Sequence, residues 1–476
     1  MVFADLNKKS LDPEQKEMLD ELASKGGVNL VAGPPGCGKT VLAYFLANRV
    51  VEEYDPSKYP EESSDLELAT LIMHNKVLKS FVNKDLETFT GIEFRSNLYV
   101  VNYYYNLLNR LWRMAFCPAR CRKEDGKLSR CHCYRSQRIP MMPRIGDEFP
   151  KIDFNAYLKA VAEQPKEIRD RFHFGHLVVD EGQDFPKEFF VFINLMRGLW
   201  REKSPSITVF ADENQIINEE NSSIEEMLTT MNIDRKNLKK LTKNYRNTKE
   251  IYHFASHFKT REQETDEPER TGMKPRVVLT ESTSESVDYI LKVMTENRGK
   301  NFLLSIGSRS GSRIFNSFLS QIETHLQRTD QGITGYRSLR DYDNALVVDA
   351  KDLNFEKNNI VQVFDQSSKG IEADIVFYCG LENYDINDPI SIRKKMYVNA
   401  TRAKEQLHFI IEEDEQNPRK ELIGFFPDPR SSGGSAPLCE FITYPREKDI
   451  SNYLEEIAWH VVDAVMEEVE EVLAEE

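Results

Sequence analysis

The stretch GPPGCGKT at residues 33–40 decides how this chain folds. Its spacing is G-x-x-x-x-G-K-T, and it stands between an apolar run, VNLVAG, and a helical run, TVLAYFLANRVVEEY. Strand, Gly-rich turn and helix in that order form the context a phosphate-binding loop requires. Gly33, Gly36 and Gly38 let the backbone wrap so that its N–H groups face phosphate oxygens, with the positive end of the helix behind them. Pro34, Pro35 and Cys37 complete the loop, and Cys37 is read as incidental to the chemistry. Lys39 supplies a point charge to the terminal phosphates, and the Thr40 hydroxyl is a Mg²⁺ ligand. The expected ligands are ATP and Mg²⁺.

Working outward, LVVDEGQD at 177–184 completes such a site. Asp180, at the end of an apolar strand, can hold Mg²⁺ through water, and Glu181 beside it can orient and deprotonate an attacking water. Gln183 and Asp184 are weaker candidates, read as coupling residues. ITVFAD is another strand that ends in an acid, and LATLIM another apolar strand. Before the loop, SLDPEQKEMLDELAS starts a helix: Asp12 caps it, Pro13 suits its first position and Leu11 staples inward. Further on, PRVVLT, NFLLSIGS, ALVVDA, NIVQVFD, ADIVFYCG and LHFIIEE read as strands. Strands alternating with helices imply mostly parallel sheets with ligands at the carboxyl ends of the strands.

A length of 476 residues exceeds one ordinary core, so two or three domains are expected. The opening MVFADLNKKS has neither a basic leader nor an apolar core, and no run approaches the roughly 20 apolar residues a spanning helix needs. A cytoplasmic protein without a membrane partner is expected. The net charge is −15, yet the charge is segregated. The last fourteen residues, DAVMEEVEEVLAEE, hold seven acids and no base, whereas ten Lys/Arg face two acids between Arg110 and Arg144. Such a basic segment suits an anionic partner.

Within that segment Cys117, Cys121, Cys131 and Cys133, with His132 as substitute, form a C-x₃-C-x₉-C-x-C pattern. Clustered thiolates suit tetrahedral Zn²⁺, and reduced, unliganded cysteines are the alternative. A zinc knuckle here would present Arg120, Arg122, Lys123 and Arg130 to phosphates. Nearby, Tyr103, Tyr104 and Trp112 can stack on single-stranded bases. Leu107, Leu108, Leu111 and Trp112 are also spaced as the core face of a helix, which is the favoured reading.

The spacing of further fragments resembles the superfamily 1 helicases of the UvrD/Rep/PcrA type over most of residues 11–410. DPEQ looks like that family's Q motif, which implies that Gln15 reads the adenine edge. VFADENQ at 209–215 resembles the third motif, with Gln215 sensing the γ-phosphate. LTKNYRN at 241–247 is similar to the fourth, with Tyr245 stacking on adenine and Arg246 on the γ-phosphate. QSSKGIEADIV at 366–376 looks like the fifth through Lys369, Gly370 and Glu372. YVNATRAKEQL at 397–407 resembles the sixth, making Arg402 the second arginine finger. LIMHNKVLKSF at 71–81 resembles motif Ia, with Asn75 and Lys76 as backbone contacts.

The chain departs from that family in two places. Ile217 stands where a DNA-stacking aromatic is expected, and the stretch between Asn247 and Gln366 is too short for the large accessory domain.

The resemblance implies an α/β fold of two RecA-like parallel-sheet P-loop NTPase domains with a small inserted Cys-rich subdomain. The expected boundaries are a first RecA-like domain at 1–95 and 168–240, an insert at 96–167, a second RecA-like domain at 241–420 and a C-terminal segment at 421–476. It also implies an ATP-dependent helicase or translocase on single-stranded or tailed DNA, moving 3′→5′, with RNA as an open alternative. A nucleic-acid-gated ATPase switch without unwinding, or a subunit that works beside a nuclease in repair or antiviral defence, are the other readings.

Overall fold

A computed structural model describes residues 11–52, 69–73, 98–102, 104–116, 140–145, 151–169, 174–199, 205–216, 221–307, 312–327, 329–337, 346–413, 419–430, 437–446 and 449–459. The cysteine quartet, His132, Arg120, Arg122, Lys123, Arg130, Asn75, Lys76, Tyr103 and Ile217 lie outside these residues. So do all fourteen residues of the acidic tail. Among the described residues no helix is long and apolar enough to cross a membrane.

The chain divides into two compact units, one of Asp5–Gly33 with Gly38–Leu241, the other of Thr242–Glu476 with Met1–Ala4 and Pro34–Cys37. In the first unit the strands are β1 (Val28–Ala32), β2 (Ala69–Met73), β3 (Leu98–Asn102), a small antiparallel pair β4 (Arg144–Ile145) and β5 (Lys151–Ile152), β6 (His176–Asp180), β7 (Ile207–Ala211) and β8 (Lys239–Lys240). Six of them form one parallel sheet in the order β3-β2-β6-β7-β1-β8. The non-consecutive neighbours of β1 are the signature of a doubly wound sheet, whose ligands bind beyond the strands' carboxyl ends.

β2, β6 and β7 are buried at every position, as expected of strands covered on both faces. Leu107, Leu108, Leu111 and Trp112, on the helix Tyr104–Phe116, enter the same core as Tyr157, Phe189 and Phe192. Trp112 places its indole N–H on the Pro140 carbonyl at 2.8 Å. The core reading of this helix is therefore the correct one. The segment expected as an insert thus opens with β3, an edge strand of the sheet, and with a helix of the unit's own core.

The second unit holds β9 (Arg276–Thr280), β10 (Phe302–Ile306), β11 (Gly332–Tyr336), β12 (Asn359–Phe364), β13 (Ala373–Cys379), β14 (Ala403–Glu412) and β15 (Glu440–Thr443). They form a seven-stranded parallel sheet in the order β11-β12-β10-β13-β14-β9-β15. Its core gathers Phe302, Leu304, Phe315, Phe318, Leu319 and Phe377 between sheet and helices. The α/β class with two parallel-sheet, RecA-like units is thereby established.

ALVVDA is a correction. Val347 makes one isolated bridge to Gly335, and the chain then turns at Ala350–Asp352. Leu346 and Val347 are only partly buried, so the apolar triplet has no second sheet face to fill.

Candidate nucleotide site

The helix Pro13–Lys25 (α1) starts as its sequence dictates. Asp12 accepts from the Gln15 backbone at 2.8 Å, and the Gln15 side chain answers the Asp12 N–H at 3.3 Å. This capping box pins Gln15, whose carboxamide stands beside Gly38. Gly38 has φ +93°, and a Cβ there would stand 2.5 Å from Gln15 Nε2. The last glycine of the loop therefore serves both the left-handed turn and the room for Gln15.

The loop leaves β1 with the Gly33 N–H on the Ala211 carbonyl at 3.1 Å, which ties it to the end of β7. It enters the helix Lys39–Glu52 (α2) at Lys39. The Lys39 ammonium is buried, 2.7 Å from the Gly33 carbonyl and 3.6 Å from Asp212 Oδ2. Cys37 is buried too.

Thr40 donates its hydroxyl to Asp180 Oδ2 at 2.8 Å, while the buried Asp180 Oδ1 has no hydrogen-bond partner. Burial and then the neighbouring Glu181 charge push the Asp180 carboxyl well above its ordinary range. A buried carboxylate oxygen left over beside a hydroxyl fits a divalent cation, whose charge reverses such a shift. Two protein ligands suit Mg²⁺, which keeps waters and takes substrate phosphates. Among the described residues no group of three or more His, Cys, Asp or Glu is placed to hold a metal.

Glu181 follows at φ 56°, a left-handed conformation that a side chain other than glycine's adopts at a cost. Its Oε2 accepts from Gln183 Nε2 at 2.8 Å, and Gln183 Oε1 accepts the Asp212 N–H at 3.0 Å. Gln215 Nε2 donates to Asp212 Oδ2 at 2.6 Å. Lys39, Thr40, Asp180, Glu181 and Gln215 thus converge at the carboxyl ends of β1, β6 and β7. The residue that sequence reasoning passed over is Asp212. Its signal was present: it is the acid that closes ITVFAD, as Asp180 closes HLVVD.

In the second unit, Arg246 donates from Nε to Glu372 Oε2 at 2.8 Å and from Nη1 to the Thr401 carbonyl at 3.0 Å. Glu372 Oε1 also meets Lys404 Nζ at 2.9 Å. Asn247 braces the turn by donating to the Ala403 carbonyl at 2.7 Å, and Arg270 donates to the Arg246 carbonyl. Arg402 is buried, with Nε on the Val398 carbonyl at 2.8 Å and Nη2 3.3 Å from the Thr401 hydroxyl. Lys369 is buried next to Ser368, whose hydroxyl reaches Asn399 Oδ1 at 3.2 Å. Tyr245 stands 48% exposed.

Together these features define a P-loop α/β protein with paired parallel sheets. The family profile of the Schlafen group 3, DNA/RNA helicase domain matches residues 27–307, more than half of the chain, and the chain belongs to that family. The match is to helicase-like proteins and not to the UvrD/Rep/PcrA type in particular. A solved structure, the C-terminal domain of a possible DNA helicase from Lactobacillus plantarun WCFS1, is similar at 18% identity over 41% of this chain and 98% of that one, with a TM-score of 0.27. No curated protein matches the chain.

Proposed function

We propose that the chain hydrolyses ATP and uses it to move along single-stranded DNA as a helicase or translocase. The observation that supports this best is the convergence of Lys39, Thr40, Asp180, Glu181 and Gln215 at the carboxyl ends of β1, β6 and β7. In this reading Lys39 binds the terminal phosphates, Thr40 and Asp180 hold Mg²⁺, and Glu181 takes the proton of the attacking water. The metal would neutralise phosphate charge when bound. Gln215 senses the γ-phosphate, and Arg246 and Arg402 stabilise the charge that develops there. Gln15 reads the adenine edge, Tyr245 stacks on the base, and Glu372 belongs to the same nucleotide-binding set. The kinship to the UvrD/Rep/PcrA type, the 3′→5′ direction and the preference for DNA over RNA rest on sequence resemblance alone. So do Asn75 and Lys76 as contacts to the strand. Zinc at Cys117, Cys121, Cys131 and Cys133, and phosphate contacts from Arg120, Arg122, Lys123 and Arg130, rest on spacing and charge. A cytoplasmic location and a nuclease partner belong to the same proposal.

ATPase assays with and without single-stranded DNA, joined to strand displacement on tailed duplexes, test this reading. Stimulated hydrolysis together with displacement is the expected result. Stimulation without displacement would sink unwinding and favour a nucleic-acid-gated switch, a reading that the short stretch from Asn247 to Gln366 supports. No hydrolysis in the wild type would sink both. Zinc well below half an equivalent in purified protein would remove the knuckle.

A further inference from the structure

We propose that Asp212 is a positioning residue that holds Lys39 and Gln215 ready and opposes nucleotide until phosphate draws both away. This rests on the ATP-binding role proposed above. Asp212 is fully buried, one residue beyond β7. Its Oδ1 accepts the Asn214 N–H at 3.1 Å and caps the short turn Glu213–Gln215. Capping needs no more than that one oxygen. The other oxygen, Oδ2, takes the Gln215 amide at 2.6 Å and lies 3.6 Å from the Lys39 ammonium. The backbone N–H of the same residue fixes Gln183, which fixes Glu181. One carboxylate therefore touches the phosphate-binding lysine and the γ-phosphate sensor, and its main chain reaches the water-activating acid through one side chain.

A buried ammonium needs opposite charge or strong acceptors around it. Asp212 and the Gly33 carbonyl provide them here. Phosphate oxygens would recruit Lys39 and Gln215 together and would repel the carboxylate that both leave. The charge of Asp212 thus favours the nucleotide-free site, while its hydrogen bonds keep the catalytic side chains in register. Removing the charge alone therefore tightens nucleotide binding, whereas loss of a merely structural residue would weaken it.

Asp212→Asn in the full chain tests this, read by titration with a fluorescent ATP analogue and by single-turnover phosphate release. Affinity is expected to tighten roughly threefold to tenfold as a nearby negative charge disappears. Single-turnover phosphate release is expected within about threefold of wild type, because Gln215 has left the carboxylate by then and the Asp212 backbone N–H still holds Gln183. A fall of about tenfold or more would mark a structural defect and overturn the proposal. Unchanged or weaker affinity overturns the proposal. Asp212→Glu keeps the charge and serves as the control, also if the asparagine variant does not fold. Its affinity is expected within about twofold of wild type, and tightening in this variant likewise overturns the proposal. A wild type that binds no nucleotide overturns both this proposal and the ATP reading. A wild type that binds and hydrolyses ATP, beside an Asp212→Asn variant that binds more weakly, overturns this one alone.

Discussion

The charged residues singled out in the two units stand at opposite ends of the strands that carry them. In the first unit Lys39, Asp180, Glu181 and Gln215 sit at the carboxyl ends of β1, β6 and β7. In the second, Glu372, Arg402 and Lys404 sit at the amino ends of β13 and β14, where the Ala373 N–H joins the Arg402 carbonyl at 3.2 Å. Their bonding differs as well. The first unit is left incomplete at Asp180, which keeps a buried oxygen without a hydrogen-bond partner. The second is closed: Glu372 is shared by two cations at 2.8 and 2.9 Å, and both arginines lean on carbonyls of their own unit. A site with unspent bonding capacity is suited to take a ligand first. A saturated cluster must give up bonds to act, which suits a group that engages only as charge develops.

Substitutions can break this contrast, starting with the largest effect. Lys39→Ala should lower ATP hydrolysis by at least about a thousandfold, because the phosphates lose their only point charge from the loop. Phosphate release under saturating ATP checks this, and residual activity near wild type would refute the role. Arg246→Ala should lower kcat by roughly a hundredfold to a thousandfold. Nucleotide affinity should change far less, since that arginine is committed to Glu372 and Thr401 before ligand arrives. An equal loss in affinity would show instead that Arg246 binds the ground state.

Stability sharpens the contrast from the other side. Glu372→Ala leaves Arg246 and Lys404, both mostly buried, without their shared anion, and should cost about 3 kcal/mol of unfolding free energy. Denaturant titration measures it, and a change under about 0.5 kcal/mol would mean that the cluster is solvated in practice. The smallest effect is expected at the strained residue of the first unit. Glu181→Gly should be more stable than Glu181→Ala by about 1 kcal/mol, because φ 56° suits glycine and burdens alanine. Equal melting of the two variants would show that the backbone relaxes once the acid is gone.

Much of this arrangement was legible in the sequence. Strand ends announced themselves where an apolar run met an acid or a glycine, as at HLVVD, ITVFAD and VNLVAG. Asp12 and Pro13 gave the start of α1 because capping is a local affair, while the part of Gln15 in the capping box emerged only from the structure. What could not be read was non-local. β8 is a pair of lysines with no apolar signal, and β11 is GITGY, two of whose five residues are glycine. Both become strands only because a neighbouring strand offers its open edge. ALVVDA failed for the converse reason: it has the residues of a strand but only one bridge to join. In the site, residue types and order gave Lys39, Thr40, Asp180 and Glu181. The sharing of Asp212 between Lys39 and Gln215 depends on how β1 and β7 stand side by side in register, and no local pattern encodes that.

The left-handed backbone at Glu181 bears on how this protein can decay over evolutionary time. If Glu181 acts as the acid proposed above, it does so in a conformation that glycine would hold more comfortably, and selection for folding and for turnover then pull on one codon in opposite directions. A glutamate codon becomes a glycine codon by a single base change. A lineage released from the need to hydrolyse nucleotide would therefore meet no folding barrier at this step. Under the role proposed for Glu181, a glutamate kept at this position across relatives would report that chemistry, and not architecture, is under protection.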